Sequence, residues 1–201
     1  MEPWPLGKRV AKRAFDLAAS TVALLLLSPL LLAVALLVRV SSPGPAFFRQ
    51  ERLGRGGRPF RIWKFRTMTA NASGRAITAA GDARVTRLGR LLRRTKVDEL
   101  PQLLNVWLGD MSFVGPRPEV PRYLPYYGPL DRLVLAVRPG ITDPASIHFR
   151  DEEELLGRFA DPERAYTQAI LPYKLSLSRE YVGSQSLGGD VALIFKTLMR
   201  L

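Results

Sequence analysis

From Leu17 to Val38 the chain runs for 22 residues without a charge, mostly Leu, Val and Ala. As a helix rising 1.5 Å per residue, that stretch is about 33 Å long, roughly one hydrocarbon thickness of a bilayer. It is longer than the core of a signal peptide and leads straight into Arg39 with no small-residue cleavage site, so a retained membrane element is predicted. Both flanks are basic: Lys8, Arg9, Lys12 and Arg13 before it, then Arg39, Arg49, Arg52 and Arg55 after it. Cationic flanks stay cytoplasmic, which asks both ends to lie on one side of the membrane. Ser28-Pro29 divides the run. Proline removes a backbone hydrogen bond and bends a helix, and the serine hydroxyl can serve a carbonyl left free. On the residues alone two arrangements stay open: a kinked spanning helix, or a re-entrant helix broken at Ser28-Pro29 that returns to the face it entered.

Beyond Ser41-Ser42-Pro43-Gly44-Pro45 the period changes. Ala46–Leu53 and Pro59–Thr67 predict two strands of a hairpin, joined by Gly54-Arg55-Gly56-Gly57. Residues 69–82, small and polar, predict a loop. Val85–Arg94 predicts a helix with Val85, Leu88, Leu91 and Leu92 on one side. A second helix is expected to start near Asp98, with Pro101 in its first turn, and to end near Gly109. Prolines then punctuate a loop-rich region from Pro116 to Pro144. Asp151-Glu152-Glu153-Glu154 predicts a helix start, where acidic charge suits the dipole. Helices are also predicted over 163–182 and 190–201, the last with a stripe of Val191, Ile194, Leu198 and Leu201 expected to pack in the core. The fold class is α+β and predominantly helical, with residues 1–40 forming the membrane segment and 41–201 a globular domain.

Charge adds to this picture. The 201 residues carry a net charge of +12, with 30 basic and 18 acidic side chains. A basic chain suggests nucleic acid first. Yet residues 1–100 hold 19 basic and 6 acidic side chains, and residues 101–201 hold 11 and 12. The excess surrounds the apolar run, so anionic lipid headgroups of the membrane are the expected partner, and nucleic acid is not. The hairpin repeats basic residues at 49, 52, 55, 58, 61, 64 and 66, which read as a solvated or headgroup-facing surface, with an anionic substrate as the alternative partner of Lys64 or Arg66.

The absence of cysteine and the single histidine, His148, exclude thiol chemistry, disulfides and Cys- or His-rich metal sites. The remaining tools are carboxylates, arginines and a divalent metal. Asp98 and Glu99 are adjacent, so on a helix their carboxylates point about 100° apart and could reach one site. A helix start also offers free N–H groups to phosphate. In Gly115-Pro116-Arg117-Pro118 two prolines stiffen the backbone around one guanidinium suited to bidentate phosphate contact. The same residues read equally as a helix cap and a loop surface charge.

Several runs together are more specific. They are Lys12-Arg13-Ala14-Phe15-Asp16, Ser28-Pro29, Lys64-Phe65-Arg66-Thr67-Met68, Asp98-Glu99-Leu100-Pro101-Gln102-Leu103, Gly109-Asp110-Met111-Ser112, Gly115-Pro116-Arg117-Pro118-Glu119 and Arg138-Pro139-Gly140-Ile141-Thr142. In this order they closely resemble the bacterial sugar transferases, the monotopic phosphoglycosyl transferases, in their short form. The resemblance spans residues 12 to about 150. It implies a re-entrant helix broken at Ser28-Pro29 and membrane-surface helices at the cytoplasmic face of the bacterial inner membrane. It implies transfer of a sugar 1-phosphate from a UDP-sugar to polyprenol phosphate, with release of UMP. It further implies Asp98 as nucleophile and Mg²⁺ ligand, Glu99 as its partner and base, and Arg117 and Arg93 as phosphate-binding residues. Lys64 and Arg150 are implied at the nucleotide-sugar site. One departure stands out. Asp143-Pro144-Ala145-Ser146 replaces the glycine and later Ala-Gln of many family members, which puts the sugar, not the reaction, in question. Direct single-step transfer and a non-catalytic membrane-anchored binding protein are the alternatives.

Overall fold

The computed structural model describes residues 5–69 and 81–200. It opens with α1 (Leu6–Ser41), a 36-residue helix long and apolar enough to cross a membrane. Its middle is unpartnered: Leu25, Leu26 and Leu32 each keep more than 70% of their surface. The helix is not broken at Ser28-Pro29, contrary to what the resemblance implies. α1 runs through the pair with Pro29 inside it, and the reason is local. Pro29 has no N–H for the Leu25 carbonyl four residues back. Ser28 Oγ donates to that carbonyl instead, at 2.8 Å.

Both ends of α1 are fastened to the same domain. At the first, Arg13 donates to the carbonyls of Val106 (2.6 Å) and Trp107 (2.8 Å), and Asp16 accepts from Ser112 Oγ and Phe113 N. Lys12 pairs with Asp190. At the second, Val34 and Val38 pack on Phe65 and Leu92. There the buried Arg66 donates to the carbonyls of Val38, Ser42 and Pro43, where a helix end leaves acceptors unfilled.

The hairpin forms as predicted from β1 (Phe47–Leu53) and β2 (Pro59–Phe65), antiparallel with Leu53 opposite Pro59. β2 stops at Phe65, two residues early, and Met68 makes an isolated bridge to Val85. The expected loop over 69–82 lies, for residues 70–80, outside the described residues. α2 (Arg87–Arg94) begins after Thr86, whose side chain caps Gly89 N. It is followed by a 3-10 stretch over Val97–Gln102 and by α3 (Leu103–Leu108). The helix expected from Asp98 therefore starts five residues late, since Pro101 cannot donate and its ring crowds the carbonyl of Val97 in α geometry. Asn105, fully buried, bonds Trp63 N and the Arg61 carbonyl, fixing this segment on β2.

β3 (Ser112–Val114) pairs in parallel with β4 (Gly140–Thr142). The start of β4 lies so close to the exit of β3 that a Cβ on Gly140 would lie 2.1 Å from Gly115 N. The chain continues through α4 (Pro144–His148), α5 (Glu152–Gly157) and α6 (Pro162–Ala165). A π-helical turn over Tyr166–Ile170 leads into α7 (Leu171–Ser184), and α8 (Leu187–Leu198) ends the fold. The largest apolar cluster joins Tyr123, Val134, Leu156, Tyr166, Leu171 and Leu175. The stripe predicted as core on α8 holds only in part: Ile194 packs against the cluster of Val114, Tyr181 and Val182, Leu201 lies outside the described residues, and Val191 and Leu198 are exposed, as are Phe195 and Met199. The inward face is polar as well as apolar, because Asp190 receives Lys12 and Tyr181 Oη, and Thr197 bonds Thr142.

Candidate active site

The turn between α2 and α3 carries the carboxylate pair. Lys96 adopts a left-handed backbone (φ 56°), and its carbonyl accepts from Glu99 N. A non-glycine residue there is strained, and such strain persists where the surroundings enforce it. The tight turn sets Asp98 and Glu99 side by side on one cavity wall. Of the two places the pattern suggests for Asp98, helix cap or first turn, it takes the second: it lies in the first turn of the 3-10 stretch, and the cap position belongs to Lys96, without a side-chain bond.

The two carboxylates differ sharply. Glu99 accepts from Lys64 Nζ (2.7 Å) and from Arg117 Nη2 (2.6 Å) and Nη1 (3.3 Å). Burial alone would raise its pKa, but Arg117 and Lys64 overcome that and hold it well below the usual carboxylate range. Asp98 is 6% exposed, and its Oδ1 has no hydrogen-bond partner. Burial pushes its pKa up to about 6, opposed by Lys64 and reinforced by the charge of Glu99. Asp98 therefore has a free, poorly solvated oxygen, and Glu99 is ionised and clamped. Arg117 is held even more firmly cationic by Glu99, whereas burial pulls Lys64 down.

Arg93 and Arg150 line the same cavity of about 910 Å³. Arg93 donates to Thr67 Oγ1 (2.9 Å) and to Glu153 (2.7 Å), and its charge lowers the pKa of Asp98 without touching it. The Arg150 carbonyl accepts from Lys96 Nζ at 3.4 Å. All six residues singled out from sequence thus meet in one cavity. Its other flank is apolar, formed by Ala23 and Leu27 of α1, Phe47, Phe48 and Leu198. In the departing segment Asp143 is buried and structural, accepting from Ser146 N and Ser178 Oγ; Ser146 and Ile147 reach the cavity. His148 packs on Phe149 and Tyr173.

Sequence reasoning missed the layer behind Arg117. Arg52 donates to the Pro118 carbonyl (3.1 Å), and Glu119 binds Tyr166 Oη (2.6 Å) and Lys174 Nζ (3.2 Å). Glu119 stood inside a recognised motif, but nothing in the pattern marks Tyr166 or Lys174.

Fold and site together define an α+β domain with one apolar N-terminal helix, whose cavity joins an apolar flank to a carboxylate pair and converging cations. The chain belongs to the bacterial sugar transferase family, whose model matches residues 7–201. It is 39% identical over 198 residues to the UDP-glucose:undecaprenyl-phosphate glucose-1-phosphate transferase of Escherichia coli (strain K12), covering 96% of this chain and 40% of that protein. It is 40% identical over 196 residues to the UDP-N-acetylgalactosamine-undecaprenyl-phosphate N-acetylgalactosaminephosphotransferase of Aeromonas hydrophila, covering 93% and 42%. It is also 40% identical over 207 residues to the exopolysaccharide production protein PSS of Rhizobium leguminosarum bv. phaseoli, covering 94% of both. The chain spans about two fifths of the first two relatives and nearly all of the third.

Proposed function

We propose that this chain is a phosphoglycosyl transferase. It moves a sugar 1-phosphate from a UDP-sugar to polyprenol phosphate, giving a polyprenyl-diphosphate-sugar and UMP. The observation that carries the reading is the cavity itself. It sets a buried carboxylate with an unpartnered oxygen among Lys64, Arg93 and Arg117, beside an apolar flank contributed by α1. A diphosphate suits the cations, and a polyprenyl chain suits the flank.

In the first step an Asp98 oxygen bonds to the sugar-bearing phosphorus while the bond from that phosphorus to the bridging oxygen breaks, and UMP leaves with the electron pair. In the second, an oxygen of polyprenol phosphate attacks the same phosphorus and releases Asp98. Splitting the transfer lets two bulky substrates use one site in turn. Arg117 and Lys64, held on Glu99 in the free site, are the donors that an incoming phosphate competes for. Their transfer to phosphate raises the basicity of Glu99, which suits a base for the acceptor.

A Mg²⁺ ion fits these residues. The free Oδ1 of Asp98 supplies one hard oxygen, and Mg²⁺ completes its shell with water and substrate phosphate more often than with a protein cage. When bound it would neutralise charge on the diphosphate.

The membrane placement is also a proposal. A helix fastened at both ends to one domain, with an apolar middle facing outward, favours a re-entrant element that bends at Ser28-Pro29 without unwinding. The exposed apolar face of α8 then lies on the surface of the inner membrane, on its cytoplasmic side. Purified protein in nanodiscs, given a panel of UDP-sugars without acceptor, should release at most one equivalent of UMP and turn over once polyprenol phosphate is added. Asp98→Asn should lose both the release and any covalent label; full turnover in that variant refutes the covalent step, and sequential kinetics favour direct transfer.

A further inference from the structure

Lys174 is 5% exposed, yet its ammonium sits between two carboxylates. It pairs with Glu119 at 3.2 Å and Glu152 at 3.0 Å and donates to Tyr166 Oη at 3.2 Å. Tyr166 Oη in turn donates to Glu119 at 2.6 Å. The π turn over Tyr166–Ile170 makes this meeting possible. Eight residues of α-helix would set Tyr166 and Lys174 about 80° apart, and one inserted residue removes roughly 100° of that phase, putting both on one face.

Glu119 lies two residues beyond Arg117 on the loop that leaves β3. Backbone bonds hold that loop at its ends, Gly115 N to the Thr142 carbonyl and Leu53 N to the Glu119 carbonyl. Glu119 and Glu152 both act electrostatically on Arg117 and favour its charge, and Arg117 in turn opposes the charge of Lys174, as two cations near the same carboxylates must. Without Lys174, the buried Glu119 would lose its paired ammonium and keep only Arg52 and Arg117 as nearby cations, on the wall of a small cavity that it shares with Arg117, and an undercompensated buried charge recruits whatever cation can reach it.

We infer that Lys174, aided by Tyr166, is a positioning residue that occupies Glu119 and so leaves Arg117 available to phosphate. This rests on the transferase reading for its meaning in turnover, but not for its geometry. The reading differs from direct substrate contact by Lys174 in one respect: removing Glu119 as well should undo the damage.

The test is a double-mutant cycle on the full chain in nanodiscs, with two readouts: UMP release from a UDP-sugar and UDP affinity by calorimetry. Lys174→Met should lower both by about tenfold or more, the order expected when a donor to the reacting phosphate is misplaced. Lys174→Met with Glu119→Gln should recover most of that loss, and Lys174→Arg should keep near-normal values. Tyr166→Phe, which preserves the ring packed on Tyr123, should give a smaller loss in the same direction and keeps the test alive should Lys174→Met fail to fold. No recovery in the double variant, or UDP affinity untouched by Lys174→Met and Tyr166→Phe, overturns the inference. Wild-type protein that binds UDP but releases no UMP refutes the transferase reading alone, and the affinity cycle still decides the role of Lys174. Wild-type protein that does not bind UDP overturns both.

Discussion

The raised pKa of Asp98 makes a measurable demand on the pH dependence of the first step. A nucleophilic carboxylate must be ionised, and burial has moved its midpoint from the usual range to about 6. In the metal-free site the fraction ionised at pH 5 is then about one in eleven, so at limiting Mg²⁺ the rate constant for UMP release should fall about tenfold between pH 7.5 and pH 5. Saturating Mg²⁺, whose charge would favour the ionised carboxylate, should move this limb to lower pH. At subsaturating UDP-sugar the free site sets the profile, and there Glu99, held well below the ordinary range by Arg117 and Lys64, contributes no limb. The diphosphate of a UDP-sugar is esterified at both ends and holds no proton near pH 6. Single-turnover quench experiments without lipid acceptor, at constant ionic strength, isolate the step from product release. Lys64 opposes the rise in the Asp98 pKa, so in Lys64→Met the limb should move to higher pH. A His148→Asn variant that keeps the limb assigns it to the carboxylate and not to the one imidazole. A rate constant flat from pH 5 to 7.5 at limiting Mg²⁺, or a limb that moves to lower pH in Lys64→Met, refutes the reasoning.

Two other consequences concern stability. Because the folded pKa of Asp98 exceeds its unfolded value, the folded state holds the proton more tightly, and stability falls as pH rises through about 6 on account of this group. Asp98→Asn removes that burden and should stabilise the protein at pH 7.5 by about 1–3 kcal/mol while abolishing UMP release, read by chemical denaturation of both forms. Gly140→Ala should do the reverse. Its Cβ would lie 2.1 Å from Gly115 N, backbone that cannot retreat without moving the Arg117 loop. The expected loss is about 1–3 kcal/mol together with most UMP release, whereas Gly183→Ala, with nothing within 4 Å in α7, should gain about 0.5–1 kcal/mol.

What the sequence made legible were elements governed by local rules. The apolar run became α1, alternation and glycines became the β1–β2 hairpin, and the carboxylate pair met its arginine in one cavity. What it hid were partners without a sequence signature. Apart from Lys64 and Arg66, for which an anionic substrate is the other reading, the basic residues of the hairpin read as a solvated or headgroup-facing surface, yet Arg52 donates to the Pro118 carbonyl, Arg55 to the Ala136 carbonyl and Arg66 to three carbonyls at the end of α1, while Lys64 pairs with Glu99. A carbonyl belongs to every residue, so no pattern announces which one a guanidinium will find. α8 shows the companion error, where the period was right and the phase wrong. Of the apolar stripe only Ile194 turns inward, and it shares that face with Asp190 and Thr197, whose bonds to Lys12, Tyr181 and Thr142 are satisfied only in the assembled fold. Burying those polar groups costs little because they are paired, whereas leaving Phe195 and Met199 outside costs little only if something apolar covers them. The helix phase therefore argues for the same environment as the bare middle of α1. The first-half charge excess has correspondingly less to do at the membrane than composition suggests, since much of it is already engaged inside the protein, fastening α1 and holding the site.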